Sequence, residues 1–211
     1  MTKKFENVDS IIFDLDGTLW DSRKEVALSW SEVLGKYNYN RKSISFQEVN
    51  DLMGKTIDEI EDILFPEIPK EKRTAIMYQS GENEINYLAK HGAKLFDNLE
   101  DTLDKLSKKY KLFIVSNCQP GYIEVFLDYY DFNKYFVDHE CPKNAETVKS
   151  DNIKLIVERN NLKHPVYVGD TQGDANATKD AGLEFVFASY GFGNVEEYQY
   201  KIEKIEDLLD L

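Results

Sequence analysis

Short runs of consecutive apolar residues occur near the start of the chain and recur through its second half. Such runs are typical of strands buried on both faces of a parallel sheet. We predict strands at residues 8–13, 111–117, 135–138, 165–170 and 184–188. Segments with helical spacing separate these strands from residue 99 onward, and residues 195–211 are predicted to form one or more closing helices. The alternation predicts an α/β fold with a parallel, doubly wound sheet.

Between the first strand and residue 90 the apolar spacing is helical. Helices are predicted at residues 22–35, 45–53, 56–64 and 70–89, separated by glycine or proline. Ser22 is expected to cap the first of them, with Glu25 at the capping-box position. No strand is predicted in this stretch. The sequence therefore predicts a small all-helical cap at residues 19–89, inserted into a core made of residues 1–18 and 90–211.

Two aspartates, Asp14 and Asp16, follow the first predicted strand and precede Gly17. Open α/β sheets bind ligands at the carboxyl ends of their strands. Side chains two residues apart share a face of a strand, and two close carboxylates do not both ionise cheaply without a cation. Oxygen ligands without nearby His or Cys favour Mg²⁺. The alternative is that these aspartates belong to a solvated turn. Three segments later in the sequence decide between the metal site and the turn.

The segment FDLDGTL, residues 13–19, resembles the first motif of the haloacid dehalogenase (HAD) superfamily of phosphatases. The resemblance implies a Rossmann-like core and a helical cap that closes over the site. It implies that Asp14 is the nucleophile that forms an aspartyl phosphate. Asp16 would be the general acid and base, and would offer its backbone carbonyl to Mg²⁺. Gly17 and Thr18, from the same motif, are assigned to substrate binding.

Two later strand ends resemble further motifs of this family. Ser116 and Asn117 resemble the second motif, which implies that the Ser116 hydroxyl and the Asn117 backbone amide bind phosphoryl oxygens. The segment GDTQGD, residues 169–174, resembles the fourth motif. It implies that Asp170 is a direct Mg²⁺ ligand and that Asp174 joins the metal site through metal-bound waters or the catalytic lysine. Taken alone, each segment could equally be a strand-end turn or a helix cap.

Three lysines are candidates for the site, two of them for the catalytic lysine and one for contact with substrate. The family's third motif is a lysine just before a helix, and the sequence predicts that helix at residues 153–160, capped by Asn152 or Asp151. Lys149 is therefore the predicted catalytic lysine, and Lys143 is the alternative. Lys55 is a candidate for reaching substrate from the cap, against the alternative of a solvated lysine after a helix-ending glycine. Trp20, Trp30 and the tyrosines are expected to serve packing.

Charge and composition limit the kinds of partner that this 211-residue chain is expected to bind. Its 26 Lys and Arg against 39 Asp and Glu give a net charge of −13, which argues against nonspecific binding to nucleic acid or anionic membranes. No apolar segment approaches transmembrane length, and no signal-peptide pattern precedes the first strand, so a cytoplasmic location is expected. The composition does not predict an oligomeric state.

These observations predict Mg²⁺-dependent hydrolysis of a small phosphorylated metabolite. Haloalkanoate dehalogenases need no metal and lack the second aspartate, so Asp16, Asp170 and Asp174 argue against their chemistry. A sugar-phosphate phosphomutase uses the same core and stays an alternative. A catalytically idle module that binds a phosphometabolite is the alternative from a different class. The physiological substrate is not predicted.

Overall fold

The computed structural model describes residues 5, 7–36, 41–143 and 147–211. Its strands are β1 Ser10–Phe13, β2 Trp20–Asp21, β3 Lys94–Leu95, β4 Lys111–Val115, β5 Phe136–Glu140, β6 Pro165–Gly169, β7 Glu184–Ala188 and β8 Tyr200–Ile202. Its α-helices are α1 Arg23–Leu34, α2 Phe46–Leu52, α3 Ile57–Leu64, α4 Lys70–His91, α5 Leu99–Ser107, α6 Tyr122–Tyr129, α7 Lys149–Arg159 and α8 Gln172–Ala181. A 3₁₀ helix, Ile205–Asp210, follows β8.

The main sheet has six strands in the order β5-β4-β1-β6-β7-β8, all parallel. β1 lies between β4 and β6, so that Phe13 is opposite both Ile114 and Val168. After β5 the chain crosses to the other side of β1 and continues with β6. This reversal of strand order is the switch point at which open α/β sheets bind ligands. The predicted doubly wound parallel sheet is confirmed.

Both faces of the sheet are covered, which explains the uninterrupted apolar runs in its strands. Alternate residues of β1 point to opposite faces. Ile11 and Phe13 belong to an apolar cluster with Phe126 of α6, whereas Ile12 belongs to a second cluster with Ile153 of α7. A polar substitution in β1 would therefore place an unsatisfied group in one of two cores.

Helices α1 to α4, which we call the helical insert, have an apolar cluster of their own that includes Trp30, Ile60 and Ile76. An antiparallel pair, β2 with β3, lies where the chain leaves the core and returns, with Trp20 opposite Leu95. The prediction that residues 19–89 are all helical is therefore wrong at Trp20–Asp21. A two-residue strand is too short to show an alternating pattern in the sequence. The boundaries at residues 18 and 90 stay a prediction. Among the described residues, no helix has the length and apolar character needed to cross a membrane.

The start of α7 and the closing segment of the chain differ from their predictions. Helix α7 begins at Lys149, after Val148, which makes no side-chain capping hydrogen bond. The prediction that Asn152 or Asp151 caps this helix is wrong, since both lie inside its first turn. The closing segment is also not a continuous helix. It contains β8, three residues paired with β7, and then the 3₁₀ helix.

Candidate active site

Three side chains predicted to carry chemistry lie at the carboxyl ends of adjacent strands. Asp14 follows β1, Ser116 follows β4 and Asp170 follows β6, in the middle of the sheet. The Asp14 backbone N–H donates to the Val168 carbonyl over 2.8 Å, which extends the pairing of β1 with β6 to the aspartate itself. All three side chains are buried. The parallel sheet thus brings together residues that are more than 150 positions apart in sequence.

A cluster of buried carboxylates forms at this edge of the sheet. One carboxylate oxygen from each of Asp14, Asp170 and Asp174 lies within 4.8 Å of the other two. Burial raises the pKa of Asp170 well above its ordinary value, and the neighbouring charges of Asp174 and Asp14 add to the effect. Crowded carboxylates of this kind are stabilised by positive charge, either from a cationic side chain or from a metal ion.

Lys149 supplies one positive charge. Its Nζ lies 2.8 Å from Asp14 Oδ1 and also donates to Asp174 Oδ1. Burial disfavours the charged amine, but the carboxylates of Asp14 and Asp174 raise the pKa of Lys149 well above its ordinary value. The alternative, Lys143, is exposed. The structure therefore places Lys149 against the acids, and its role in catalysis stays a prediction.

Asp174 anchors this lysine from helix α8. Its Oδ2 accepts hydrogen bonds from the Thr171 backbone N–H over 3.0 Å and from Thr171 Oγ1 over 2.7 Å. Thr171 Oγ1 accepts in turn from the Asp174 backbone N–H, which completes a capping box at the start of the helix. Both oxygens of Asp174 are thus held by protein groups, so its position is fixed by the same contacts that begin the helix.

Asp170 has the oxygen best placed to take a metal ion. Its Oδ2 accepts from the Phe192 backbone N–H over 2.7 Å. Its Oδ1 is buried and has no hydrogen-bond partner within the part of the chain that the structure describes. An unsatisfied buried carboxylate oxygen is costly unless a ligand completes it. The all-oxygen set around it fits a hard divalent cation, held by Asp170 and Asp14 with Asp174 beside them.

Glycines allow the chain to pass close to Asp170. Gly17 has φ +81°, and a Cβ built on it would lie 2.2 Å from Asp170 Oδ2. A Cβ built on Gly191 would likewise lie 2.3 Å from Asp170 Cβ. Gly17 and Thr18 were predicted to bind substrate, but both are buried and neither lines the cavity described below. Their role in substrate binding stays a prediction, while the structure shows Gly17 packed against Asp170.

We expect Gly17→Ala to lower kcat/KM by at least about tenfold, because the added methyl group must displace Asp170. Gly182→Ala is the matched control. Gly182 also has a positive φ, +77°, but a Cβ there would meet nothing within 4 Å. Both variants carry a backbone cost of about 1–2 kcal/mol, measured by urea unfolding. Equal activity in the two variants would contradict the importance of the space beside Asp170.

Asp16 is not one of the three clustered carboxylates and makes a separate set of contacts. Its Oδ1 accepts from Tyr122 Oη over 3.0 Å and from Ser22 Oγ. Ser22 lies at the N-cap position of α1, as predicted, but its side chain makes no capping hydrogen bond, so the predicted capping box with Glu25 does not form. Burial raises the pKa of Asp16 above its ordinary value, against the hydrogen bonds from Ser22 and Tyr122. A raised pKa suits a carboxyl group that donates a proton near neutral pH.

A cavity of about 80 Å³ lies between the sheet edge and the helical insert. The core contributes predicted site residues to its lining, namely Asp14, Asp16, Ser116, Asn117 and Lys149. The insert contributes Lys55, Trp30 and Glu84, among others. Lys55 is therefore at the cavity, as its candidacy for substrate binding requires, and that role stays a prediction. Trp30 packs in the apolar cluster of the insert, as predicted, and also lines this cavity.

Several residues that shape the site carry no local sequence signal. Tyr122 and Ser22 hold Asp16, and Glu84 reaches the cavity from the middle of α4. At helical spacing these side chains are indistinguishable from packing or solvated residues. Phe192 acts through its backbone N–H, so its side chain gives no clue. A weak signal existed only for the loop that contains Phe192, because it has two glycines and follows a buried strand.

Comparison with known proteins assigns the family. The family described as haloacid dehalogenase-like hydrolase matches residues 11–188 of the chain. That match spans more than half of the sequence and all four motif segments, so the chain belongs to the haloacid dehalogenase-like hydrolase family. The predicted family is confirmed.

Individual relatives agree with this assignment. Phosphoglycolate phosphatase of Escherichia coli strain K12 is 26% identical over 214 residues, which cover 90% of this chain and 84% of the relative. A haloacid dehalogenase-like hydrolase from Bacteroides fragilis has a similar fold, with a TM-score of 0.84 at 21% identity over 96% of this chain and 100% of the other. A structure described as a predicted phosphoglycolate phosphatase from Haemophilus somnus 129PT gives a TM-score of 0.82 at 22% identity, covering 96% and 97%. The predicted enzyme class, a HAD-like phosphoric monoester hydrolase, is confirmed.

Proposed function

We propose that the protein is a Mg²⁺-dependent phosphatase that hydrolyses a small phosphorylated metabolite through an aspartyl-phosphate intermediate. The observation that supports this most strongly is the position of Asp14. It ends the central strand, contacts Lys149 over 2.8 Å, belongs to the carboxylate cluster and lines the cavity. A carboxylate held in this way is both accessible to a ligand and restricted in orientation, as a nucleophile must be.

Mg²⁺, bound by Asp14 and Asp170, would supply charge neutralisation for the phosphoryl oxygens. Lys149 adds a second positive charge at Asp14. Ser116 lies at the cavity and can donate its hydroxyl hydrogen to a phosphoryl oxygen, and the Asn117 backbone N–H is a second donor at the same strand end. These groups are fixed by the sheet before substrate binds, so little reorganisation accompanies the reaction.

In the first step, an Asp14 carboxylate oxygen forms a bond to phosphorus and the bond from phosphorus to the ester oxygen breaks. Asp16 gives its proton to that departing oxygen, so the alcohol leaves neutral. In the second step, a water attacks the aspartyl phosphate and Asp16 accepts the proton from the water. The bond between phosphorus and the Asp14 oxygen breaks, which releases inorganic phosphate and restores both carboxyl groups. The helical insert covers the cavity and limits the access of other water.

The test is phosphate release from p-nitrophenyl phosphate with and without Mg²⁺. We expect turnover with Mg²⁺, loss of at least about 100-fold in excess EDTA, and recovery when Mg²⁺ is restored. Asp170→Asn should raise the Mg²⁺ concentration needed for half-maximal activity by at least about tenfold. A folded protein with no turnover in Mg²⁺ would support the idle binding module instead.

A panel of phosphorylated metabolites then separates hydrolysis from phosphoryl transfer. Phosphoglycolate belongs on that panel because related proteins carry the name phosphoglycolate phosphatase. We expect inorganic phosphate as the product, and transfer of the group to a second position on a sugar would identify a phosphomutase. A cytoplasmic location stays part of the proposal.

A further inference from the structure

Glu84 is a buried acid in the middle of helix α4, and it lines the same cavity as Asp14 and Asp16. Its Oε2 accepts hydrogen bonds from Trp30 Nε1 over 2.7 Å and from Gln119 Nε2 over 3.2 Å. Both donors are neutral. Within the described ranges, no Lys, Arg or His pairs with Glu84, and its Oε1 accepts no hydrogen bond. This carboxyl group is therefore held in place without a counter-charge.

Another buried glutamate of the helical insert shows the usual arrangement. Glu61 Oε2 lies 3.8 Å from Arg73 Nε and accepts a hydrogen bond from Thr74 Oγ1 over 2.9 Å. It does not line the cavity. The insert can thus supply a cation to a buried acid, but it supplies none to Glu84. A buried acid is either paired with a cation or kept neutral by protonation, so an acid without a protein cation at a ligand cavity can pair with a cation that arrives with the ligand.

Burial raises the pKa of Glu84 to about 8, with the charge of Asp16 adding to the effect and the Trp30 and Gln119 hydrogen bonds opposing it. A glutamine oxygen could accept the same two hydrogen bonds without this cost. The contacts with Trp30 and Gln119 therefore do not by themselves require a carboxyl group. A cationic ligand group does, because it would stabilise the ionised form.

The walls of the cavity suit a positively charged group. Trp30 and Tyr122 line it beside Glu84, and aromatic side chains together with a carboxylate are a common environment for ammonium groups. Three acids line the cavity, Asp14, Asp16 and Glu84. Of the two lining lysines, Lys149 is paired with Asp14 and Asp174, which leaves Lys55 as the opposing charge.

We propose that the substrate is a phosphomonoester whose leaving alcohol carries an ammonium group, and that Glu84 is the specificity-determining residue that pairs with it. This inference rests on the proposed phosphatase function and names the substrate class of the same site. It departs from the substrate in the names of the relatives, because phosphoglycolate carries a carboxylate where this cavity offers Glu84.

Three small esters test the charge preference directly. They are 2-aminoethyl phosphate, 2-hydroxyethyl phosphate and carboxymethyl phosphate, which is phosphoglycolate, and they differ only in the terminal group. We expect kcat/KM to be highest for the amine, by at least about tenfold over the hydroxyl ester, and lowest for the carboxylate. Because each ratio is taken on one enzyme preparation, it does not depend on the fraction of active protein.

Glu84→Gln keeps the shape and the hydrogen-bond acceptor but removes the charge. We expect it to reduce the amine-to-hydroxyl ratio to about one, through a loss confined to the amine ester. Glu61→Gln, at the other buried glutamate of the insert, is the matched control and should keep the wild-type ratio. Glu84→Asp provides a second test, since it restores the charge and should recover part of the preference.

Each possible result has a defined meaning. A wild-type preference for the hydroxyl or carboxylate ester would overturn the substrate class, and an unchanged ratio in Glu84→Gln would overturn the assignment of Glu84. In either case, turnover of p-nitrophenyl phosphate in Mg²⁺ would leave the proposed phosphatase function standing. A folded wild-type enzyme that hydrolyses p-nitrophenyl phosphate but none of the three small esters would also overturn the substrate class, and one that hydrolyses none of the four in Mg²⁺ would contradict the phosphatase function itself.

Discussion

Asp14→Asn is expected to abolish phosphate release, with kcat lowered by at least about 10⁴-fold. An amide is a poor nucleophile and cannot form the aspartyl phosphate on which the proposed reaction depends. Substrate binding should survive, because Ser116, Lys149 and the Glu84 side of the cavity are unchanged. Phosphate release in single-turnover and steady-state assays measures the loss, and no covalent phosphoenzyme should be trapped in the variant.

The fold should tolerate this change. Asn has the shape of Asp, the backbone N–H of residue 14 still donates to the Val168 carbonyl, and Lys149 keeps its contact with Asp174. The free energy of unfolding should therefore change by no more than about 1 kcal/mol. Asp180→Asn is the control, since Asp180 is exposed on helix α8, which also carries Asp174. Normal turnover in Asp14→Asn would exclude Asp14 as the nucleophile.

The central strands were predictable because their burial leaves a direct trace in the sequence. β1, β4 and β6 are covered on both faces, so each appears as an apolar run that ends at Asp14, Ser116 or Asp170. Parallel strands bring their carboxyl ends to one edge, which is why the sequence alone predicts that these three residues lie together. The predicted positions and the observed convergence agree.

Other parts of the site depend on contacts between distant segments, and those leave no local pattern. Ser22 occupies the predicted N-cap position of α1, but its hydroxyl donates to Asp16, six residues earlier, and does not cap the helix. Glu84 has the spacing of an ordinary helical residue, and only the packing of α4 against the core brings it to Gln119. Short strands such as β2 and β8 form because a partner strand is adjacent, so their two or three residues carry too little pattern to predict them.

Lys149 lies at the site, although the start of α7 was predicted at the wrong residue. It was expected in a loop, but it occupies the first position of α7, where the positive end of the helix dipole disfavours a cation. Burial disfavours the charge further. Both costs are offset by the carboxylates of Asp14, which follows β1, and Asp174, which lies in the first turn of α8. The lysine is thus held by tertiary contacts that no local signal near residue 149 could show.

Lys149→Met is therefore expected to destabilise the fold as well as remove activity. Methionine has a similar length, but without the ammonium the buried carboxylates of Asp14 and Asp174 lose their counter-charge. Removing one partner of a buried ion pair costs about 3–5 kcal/mol, which urea unfolding can measure. We expect kcat to fall by at least about 100-fold, because the positive charge beside Asp14 is lost. Activity must be measured well below the unfolding midpoint to separate the two effects.

Lys143→Met is the matched control, because Lys143 is exposed and was the alternative candidate. It should change stability by less than about 0.5 kcal/mol and leave turnover unaffected. The opposite result, with loss of activity in Lys143→Met and none in Lys149→Met, would show that the family lysine was assigned to the wrong residue.

Combining Lys149→Met with Asp14→Asn tests the physical cause of the instability expected for Lys149→Met. If repulsion among unpaired acids produces the instability, the double variant should be more stable than the sum of the single changes predicts, by about 0.5–3 kcal/mol.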